Sequence, residues 1–469
     1  MNAAFASHKP LWLSGREARD LAKGLWPQSA IMWLIFGWFA LYIIRPWEVL
    51  APWMAALRVE RVYCTTVLGV LVISGKLRFD FSKQTLSLAA LIAVMYITAF
   101  TGMSYSRSSL NIYSTLVHVA MYVAMLSVIR RPRDLLCIAW MYLVIMAMYL
   151  GKSEYEYFIH GRHDFTQGVP RLLGIDLTYR HYNSVAASAL LTMPVLQLLW
   201  TTRSDISASW SARSRTRLKW ALLAYGCLAV SAVLLTNSRG GMLGLAVYFF
   251  LACVTGKTAM RAVKTLLLAG LIVGPVVLFG MPETQMRRLS TLWNANPRSS
   301  AQGSLEGRKQ AVIDGLRMFA ENPMTGVGLG CFKRYRVLRG DSSDIEAHNI
   351  YIEVLGEMGA LGGLAFGTFV ACTWFNFRKI GLLAASAGTA EGEFLRKLAL
   401  AGRNSLLLLL YFGCLGSNLD RFNWFWLAGV GVAGVGIARR CVSEAAENEE
   451  AMLADDDYSP EPSEAELVH

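Results

Sequence analysis

Apolar runs divide the chain at 28–44, 62–74, 85–102, 110–129, 135–150, 184–200, 220–236, 242–255, 265–280, 350–375, 404–418 and 423–438. Each reads as a helix able to cross a hydrocarbon core of about 30 Å, alone or with help from its neighbours. The run at 62–74 is short for that task, and the pair flanking Asn237 to Gly241 also reads as one broken element, so the pattern predicts about twelve spans and allows ten. Two polar inserts interrupt it, at 151–183 and 281–349. In the second, Gly307 to Phe319 reads as a helix, Asn322-Pro323 stops it, and Gly326-x-Gly328-x-Gly330 follows as a tight turn.

The expected fold is therefore an all-α polytopic integral membrane protein. Residues 1–27 precede helices one to five (28–150), a first outer loop (151–183) and helices six to nine (184–280). A large outer loop with short helices (281–349), helices ten to twelve (350–440) and a tail from 441 to 469 complete the chain. The tail is acidic and contains Pro460 and Pro462, which predicts disorder. No internal repeat of fixed period emerges, and no insert is large enough to hold a soluble core of its own.

Composition agrees with a membrane chain: 54% of the 469 residues are hydrophobic and 17% are charged. The net charge of +12 becomes informative once the basic residues are placed relative to the bilayer. With the N-terminus inside, every inner segment holds at least two Lys or Arg, as in Arg130, Arg131, Arg133 and in Arg213, Arg215, Arg217, whereas the short outer ones hold few. The positive-inside rule then puts both termini in the cytoplasm and both inserts outside, in a bacterium the periplasm, and gives the charge no nucleic-acid role. The first run is followed by Arg45-Pro46-Trp47 and reads as a retained helix. Eight cysteines, mostly inside apolar runs, predict no disulfide framework, and no Cys/His cluster predicts a metal or other cofactor. His160, His163 and His181 are spaced irregularly and read as a solvated or sugar-binding loop.

Candidate chemistry gathers at Ala347 to Gly363, where a polar loop becomes an apolar helix. His348 ends the loop, and Gly356, Gly359, Gly362 and Gly363 leave one helix face bare, so that a backbone or a lipid chain can approach closely. Read alone, His348 is more simply a helix-cap or interface residue. The outer inserts are rich in arginine, among them Arg171, Arg180, Arg308 and Arg334, and the planar guanidinium fork suits phosphate. Arg239 lies in Ser238-Arg239-Gly240-Gly241 between two helices, either as a snorkelling residue or in a turn whose N–H groups open toward an anion. The glycines at 326–330 follow no predicted strand and face outward, which argues against a nucleotide loop.

Taken together, Ser238-Arg239-Gly240, Gly307-Arg308, Pro323-x-x-Gly326-x-Gly328 and His348-Asn349-x9-Gly359-x2-Gly362 resemble the O-antigen ligase and polymerase superfamily of bacterial inner membranes. Arg171-x-x-Gly174 and Asn183-x-x-Ala186 add to the resemblance, which covers roughly residues 165 to 365, while Val312 stands where the family pattern has Trp. The resemblance implies an inverting, metal-independent glycosyltransferase that moves a glycan from undecaprenyl diphosphate to an acceptor hydroxyl at the periplasmic face. The acceptor would be lipid A core, a glycoprotein or a growing glycan. It further implies that Arg239 and Arg308 hold the diphosphate and that His348 takes the acceptor proton, with Asn349, Ser238, Arg171, Arg180, His181, Asn183 and Arg334 around the substrates. The chemistry is coherent: a departing diphosphate needs its charge neutralised, and a neutral imidazole accepts a proton near neutral pH. Glu353 or Glu357 could orient the imidazole or pair with a loop arginine.

Within this class a ligase and a polysaccharide polymerase share the donor and differ in acceptor. The stretch Arg45-Pro46-Trp47-Glu48 faintly resembles members tied to exopolysaccharide or protein glycosylation. A transporter or flippase of similar helix count is the rival from another class, but such proteins place ionisable groups near the midplane, where His118 is the clearest one here. A structural subunit of an envelope assembly would leave the loop motifs unexplained.

Overall fold

In the computed structural model, which describes residues 21–166, 168–176, 180–255, 300–340, 346–387 and 389–456, the apolar runs are helices. They are α1 (Ala30–Ile44), α2 (Val59–Ile73), α3 (Lys83–Thr101), α4 (Tyr105–Val128), α5 (Pro132–Ile159), α6 (Tyr182–Ile206), α7 (Ala212–Leu235) and α8 (Arg239–Thr255). After them come α9 (Ser300–Glu321), α10 (Phe332–Leu338), α11 (Ile350–Ala387), α12 (Ala390–Gly413) and α13 (Asn423–Asp456). Among the described residues, α3 to α7, α11 and α13 as far as Glu447 are long and apolar enough to cross a membrane, while α1 and α8 are shorter apolar helices. The chain is a mostly helical, multi-pass membrane protein. The expected span at 265–280 lies outside the described residues.

Side-chain caps start several of these helices. Ser82 accepts the N–H of Thr85 and Ser211 that of Ser214, while Asp134 takes the N–H groups of both Arg130 and Arg131 ahead of Pro132. Buried polar contacts then fix register between neighbours. Gln84 of α3 donates to the Phe369 carbonyl at 3.3 Å and accepts from Thr373 and Asn376 of α11. His118 sits buried in α4, with its Nε2 2.5 Å from the Tyr42 hydroxyl and its ring stacked on Phe425 at 5.0 Å, a packing role inside the aromatic core.

Two expectations change. The insert expected at 151–183 is shorter, because α5 continues to Ile159, and it contains an antiparallel hairpin, β1 (His163–Thr166) paired with β2 (Val169–Leu172). An all-α reading missed it because strands of four residues carry almost no periodic signal. Tertiary contacts hold the hairpin instead: Asn237 donates to the Pro170 carbonyl at 2.7 Å, and Gly168 turns the chain at φ 77°. The tail expected to be disordered from 441 is instead helical as far as Asp456, since α13 simply continues past its apolar part; residues 457–469 lie outside the described residues.

The two ends of α11 are not one regular helix. Gly359 has φ 62° and ψ −159°, so the backbone breaks there and its freed groups bond to the turn at 322–331. Ala360 and Leu361 donate to the Pro323 and Met324 carbonyls, while Val327 and Gly328 donate to the carbonyls of Gly356 and Glu357. The Glu357 carboxylate completes the splice by accepting the N–H groups of Gly330 at 2.7 Å and Phe332 at 2.9 Å. A Cβ on Gly359 would stand 2.4 Å from the Met324 carbonyl carbon, and one on Gly326 would stand 2.3 Å from that of Glu357. The bare helix face thus admits a backbone, not a lipid chain. On its far side the turn meets α3 and α4, where Met103 donates to the Val327 carbonyl and Ser108 to that of Leu329. Beneath α9 and α10 a satellite cluster of Ala311, Met318, Val327, Cys331, Phe332, Tyr335 and Ala347 is buried, a small core where none was expected.

The glycine at the break has a measurable role. Gly359→Ala combines a left-handed backbone, worth about 1–3 kcal/mol of strain, with a backbone clash. It should lower the yield of monodisperse protein and the detergent melting temperature, whereas Gly367→Ala, which meets open space, should leave both unchanged.

Candidate functional site

Four separate stretches supply the predicted residues, and local structure aims each of them. At the α7–α8 turn, Asn237 is left-handed (φ 50°) and Ser238 caps α8 by accepting the Gly241 N–H at 3.1 Å. The Ser238 hydroxyl also donates to Asn183 Oδ1 at 2.7 Å, tying this turn to the start of α6. Arg239 is consequently fixed in the first turn of α8 and half-buried. Gly240 and Gly241 are required by packing, since Cβ atoms there would meet Leu415 and Ala186 at 2.8 Å.

The hairpin brings in Arg171, which is 2% exposed and lies 4.0 Å over the ring of Tyr182. His181 precedes Tyr182 at the start of α6; its Nδ1 accepts the Asn183 N–H at 3.3 Å and its ring lies 3.9 Å from that of Tyr182. α9 delivers Arg308 near its N-terminal end, half-buried. The helix seats on α11 despite Val312, because Gly315 faces Ile352 and Gly356 so closely that a Cβ on Gly315 would stand 2.2 Å from the Ile352 side chain.

His348 lies between the buried Ala347 and Asn349, whose Oδ1 accepts the N–H groups of Tyr351 at 2.9 Å and Ile352 at 3.2 Å and so caps α11. His348 directly precedes this capped first turn, with its backbone left-handed at φ 49°. Asn349, expected around the substrates, spends its side-chain oxygen on orienting this local backbone.

Electrostatics shows which groups meet. Burial lowers the His348 imidazole below its ordinary range, and the Arg308 guanidinium lowers it further; Lys333 and Arg336 add to this and Glu346 opposes it. His181 is also held low, by desolvation on its cleft side and then by His348 and Arg171, although its outer edge meets solvent. Arg308 is itself lowered by burial and by Arg239, and Arg171 by burial, with Arg239 again acting against it. Arg239 acts on Arg171 and Arg308, Arg308 on His348, and His348 and Arg171 on His181, so the five form one electrostatic cluster, and Tyr182 bears on both Arg171 and Arg308. Among the described residues, neither Arg239 nor Arg308 is ion-paired to a carboxylate.

Other predicted residues stand elsewhere. Arg334 is exposed on α10 while its neighbours Lys333 and Arg336 are the ones that bear on His348. Arg180 is exposed, and its contribution is a carbonyl that accepts the Gly174 N–H at 2.9 Å. Ser238 and Asn183 spend their side-chain oxygens on each other and on α8, which makes them supports of Arg239. Glu357 neither orients the imidazole nor pairs with an arginine, because both its oxygens serve the 330–332 backbone, and Glu353 faces Ser417 and Asp420. His160 pairs with Glu156 at 3.0 Å, away from His181. Residues whose weight the sequence did not show are Asp164, Glu346 and Lys333, which set the field around Arg171 and His348. Of these only Lys333 carried a hint, as part of the basic run Lys333-Arg334-x-Arg336.

Much of this cluster falls in a stretch that matches a known family. Residues 224–367 match the family model for O-antigen ligase, a window that contains Ser238, Arg239, Arg308, the 322–331 turn, His348 and the break at Gly359. The hairpin and Arg171 lie before it. No curated protein matches the chain. The match supports the resemblance to the O-antigen ligase and polymerase superfamily over residues 224–367.

Proposed function

We propose that the protein is an inverting glycosyltransferase of the bacterial inner membrane. It moves a glycan from undecaprenyl diphosphate to a hydroxyl of lipid A core, a glycoprotein or another glycan, on the periplasmic side. The observation that carries this reading is the pair Arg239 and Arg308, half-buried beside His348 with no carboxylate partner among the described residues. Like charges held together in a desolvated place repel, and an arrangement of this kind is stable when an anion completes it. A diphosphate fits two guanidinium forks, and the lipid that bears it reaches the site from the bilayer around the bundle.

The chemistry follows from the groups present. The acceptor oxygen attacks the anomeric carbon from the face opposite the diphosphate, the bond from that carbon to the diphosphate oxygen breaks, and His348 takes the acceptor proton. Arg239 and Arg308 hold the charge that develops on the leaving group, the fixed-dipole role that stabilises charged transition states most. Arg171, packed against Tyr182, adds positive potential from the hairpin side. His348 must be neutral to accept a proton, and burial together with Arg308 keeps it so at neutral pH. Family members are membrane glycosyltransferase-like enzymes, which agrees with this assignment.

Single substitutions Arg239→Ala, Arg308→Ala and His348→Ala should each reduce transfer at least about a hundredfold, the usual weight of one charge-stabilising or acid–base group. Normal surface polysaccharide from all three variants would refute the assignment. Glycan analysis of a deletion strain sorts the acceptor: uncapped core with accumulated polymer means a ligase, single-repeat products mean a polymerase.

The base also sets a pH dependence. Transfer should fall on the acid side as His348 protonates, with a midpoint below the ordinary histidine value of about 6.5 because the native pKa is lowered. Lys333→Gln removes a charge that disfavours imidazolium, so the acid limb should move up; Glu346→Gln removes one that favours it, so the limb should move down. Both shifts should be a few tenths of a pH unit at physiological ionic strength, since these side chains are partly solvated and screened.

A further inference from the structure

A cavity of about 400 Å³ lies between residues of α9 and α10. Gln310, Asp314 and Arg317 of α9 line it together with Tyr335 and Arg336 of α10 and the following Arg339 and Gly340. Its floor is built. Arg336, 2% exposed at its side chain, meets Asp314 at 3.0 Å, and Gln310 donates to the other Asp314 oxygen at 3.0 Å. Arg339 lies 4.9 Å over the Tyr335 ring, and both it and the Tyr335 hydroxyl are held by Glu321, which stands behind the wall. Arg317 reaches Asp314 only at 3.8 Å and is half exposed. Among the described residues, the lining therefore holds three guanidinium groups against one carboxylate.

We propose that this cavity is a glycan subsite that takes an acidic sugar residue, bearing a carboxylate or a phosphate, of the donor or the acceptor. Its volume lies at the small end of the range of about 300–1,000 Å³ for ligand pockets, which suits one sugar ring better than a peptide or a lipid tail. Arg317 and Arg339, each about half exposed, line the cavity with guanidinium groups, whose fork binds carboxylate or phosphate bidentately, and Arg339 is steadied by its pair with Glu321. The Gln310 amide oxygen and the Asp314 carboxylate supply acceptors for hydroxyl groups beside those cations. The position is apt as well, because Arg336 forms the floor of the cavity and its charge also bears on His348. A sugar in the cavity would thus lie close to the proposed reaction centre. The assignment rests on the proposed transferase reading for that biological meaning, but the binding itself does not require catalysis.

The test is saturation-transfer NMR on the full chain in nanodiscs, with glucuronate, glucose 6-phosphate and glucose as probes. Saturable binding of one or both charged sugars and none of glucose is expected, and whichever charged probe binds tighter identifies the acid group. Arg317→Ala and Arg339→Ala should each weaken that binding about tenfold, as for loss of a charge-assisted hydrogen bond. Arg317→Lys should recover part of it, and Arg308→Ala should leave it intact. Equal binding of all three probes would overturn the proposal. So would loss of binding in Arg308→Ala together with retention in Arg317→Ala and Arg339→Ala, since the charged sugar would then occupy the arginine cluster. Normal glycan transfer by the Arg239, Arg308 and His348 variants would refute only the transferase reading, so the two failures are separable.

Discussion

The backbone exchange at Gly359 is the constraint on which the rest of this end of the bundle depends. A helix broken in or near a membrane leaves N–H and C=O groups that water cannot satisfy, so some other backbone has to take them up. The 322–331 turn does this, by hydrogen bonds in both directions and by the Glu357 carboxylate beneath Gly330 and Phe332. Because the same turn rests on Met103 and Ser108, α11 is tied through it to α3 and α4. The first turn of α11, which His348 and its cap Asn349 directly precede, therefore stands on a frame fixed on two sides.

That frame makes the arginine cluster tolerable. Arg171, Arg239 and Arg308 oppose one another electrostatically, and the surrounding structure holds each in place. Arg171 is clamped by hairpin pairing and by Tyr182, Arg239 by a cap and tight glycine packing, and Arg308 by the seating of α9 on Gly356. Electrostatic preorganisation requires this, because flexible cations would move apart in the empty site and would have to be reassembled around each donor.

Much of this was legible in the sequence, for reasons that differ by element. The spans showed because bilayer thickness imposes long apolar runs, and Gly326, Gly328 and Gly359 showed because positive φ and close backbone approach leave few alternatives to glycine. Arg239, Arg308 and His348 could be named from their motifs, but their meeting could not, since α9 and the α7–α8 turn are brought together only by tertiary packing. The hairpin was illegible because four-residue strands lack periodic signal, and the helical continuation of α13 because acidic composition points to disorder while propensity there permits a helix. The misplacement of Arg334 was a matter of helical phase. Residues 333 and 336 share the face of α10 toward His348, and 334 does not.

The proximity of Arg308 to His348 has one more consequence on the transferase reading. A base whose pKa is lowered is available in its neutral form but is a weaker proton acceptor, so the empty site pairs readiness with low strength. A bound diphosphate would bring negative charge to Arg308 and Arg239 and so cancel much of the field that disfavours imidazolium. His348 would then gain basicity only once the donor is in place. As the carbon–oxygen bond breaks, still more negative charge collects on the diphosphate, and imidazolium becomes easiest to form at the moment the acceptor must lose its proton. The arginines would in this way act on both ends of the reaction, holding the leaving group directly and timing the base through their charge. Water entering a site without donor would meet a His348 less basic than the one the bound donor creates.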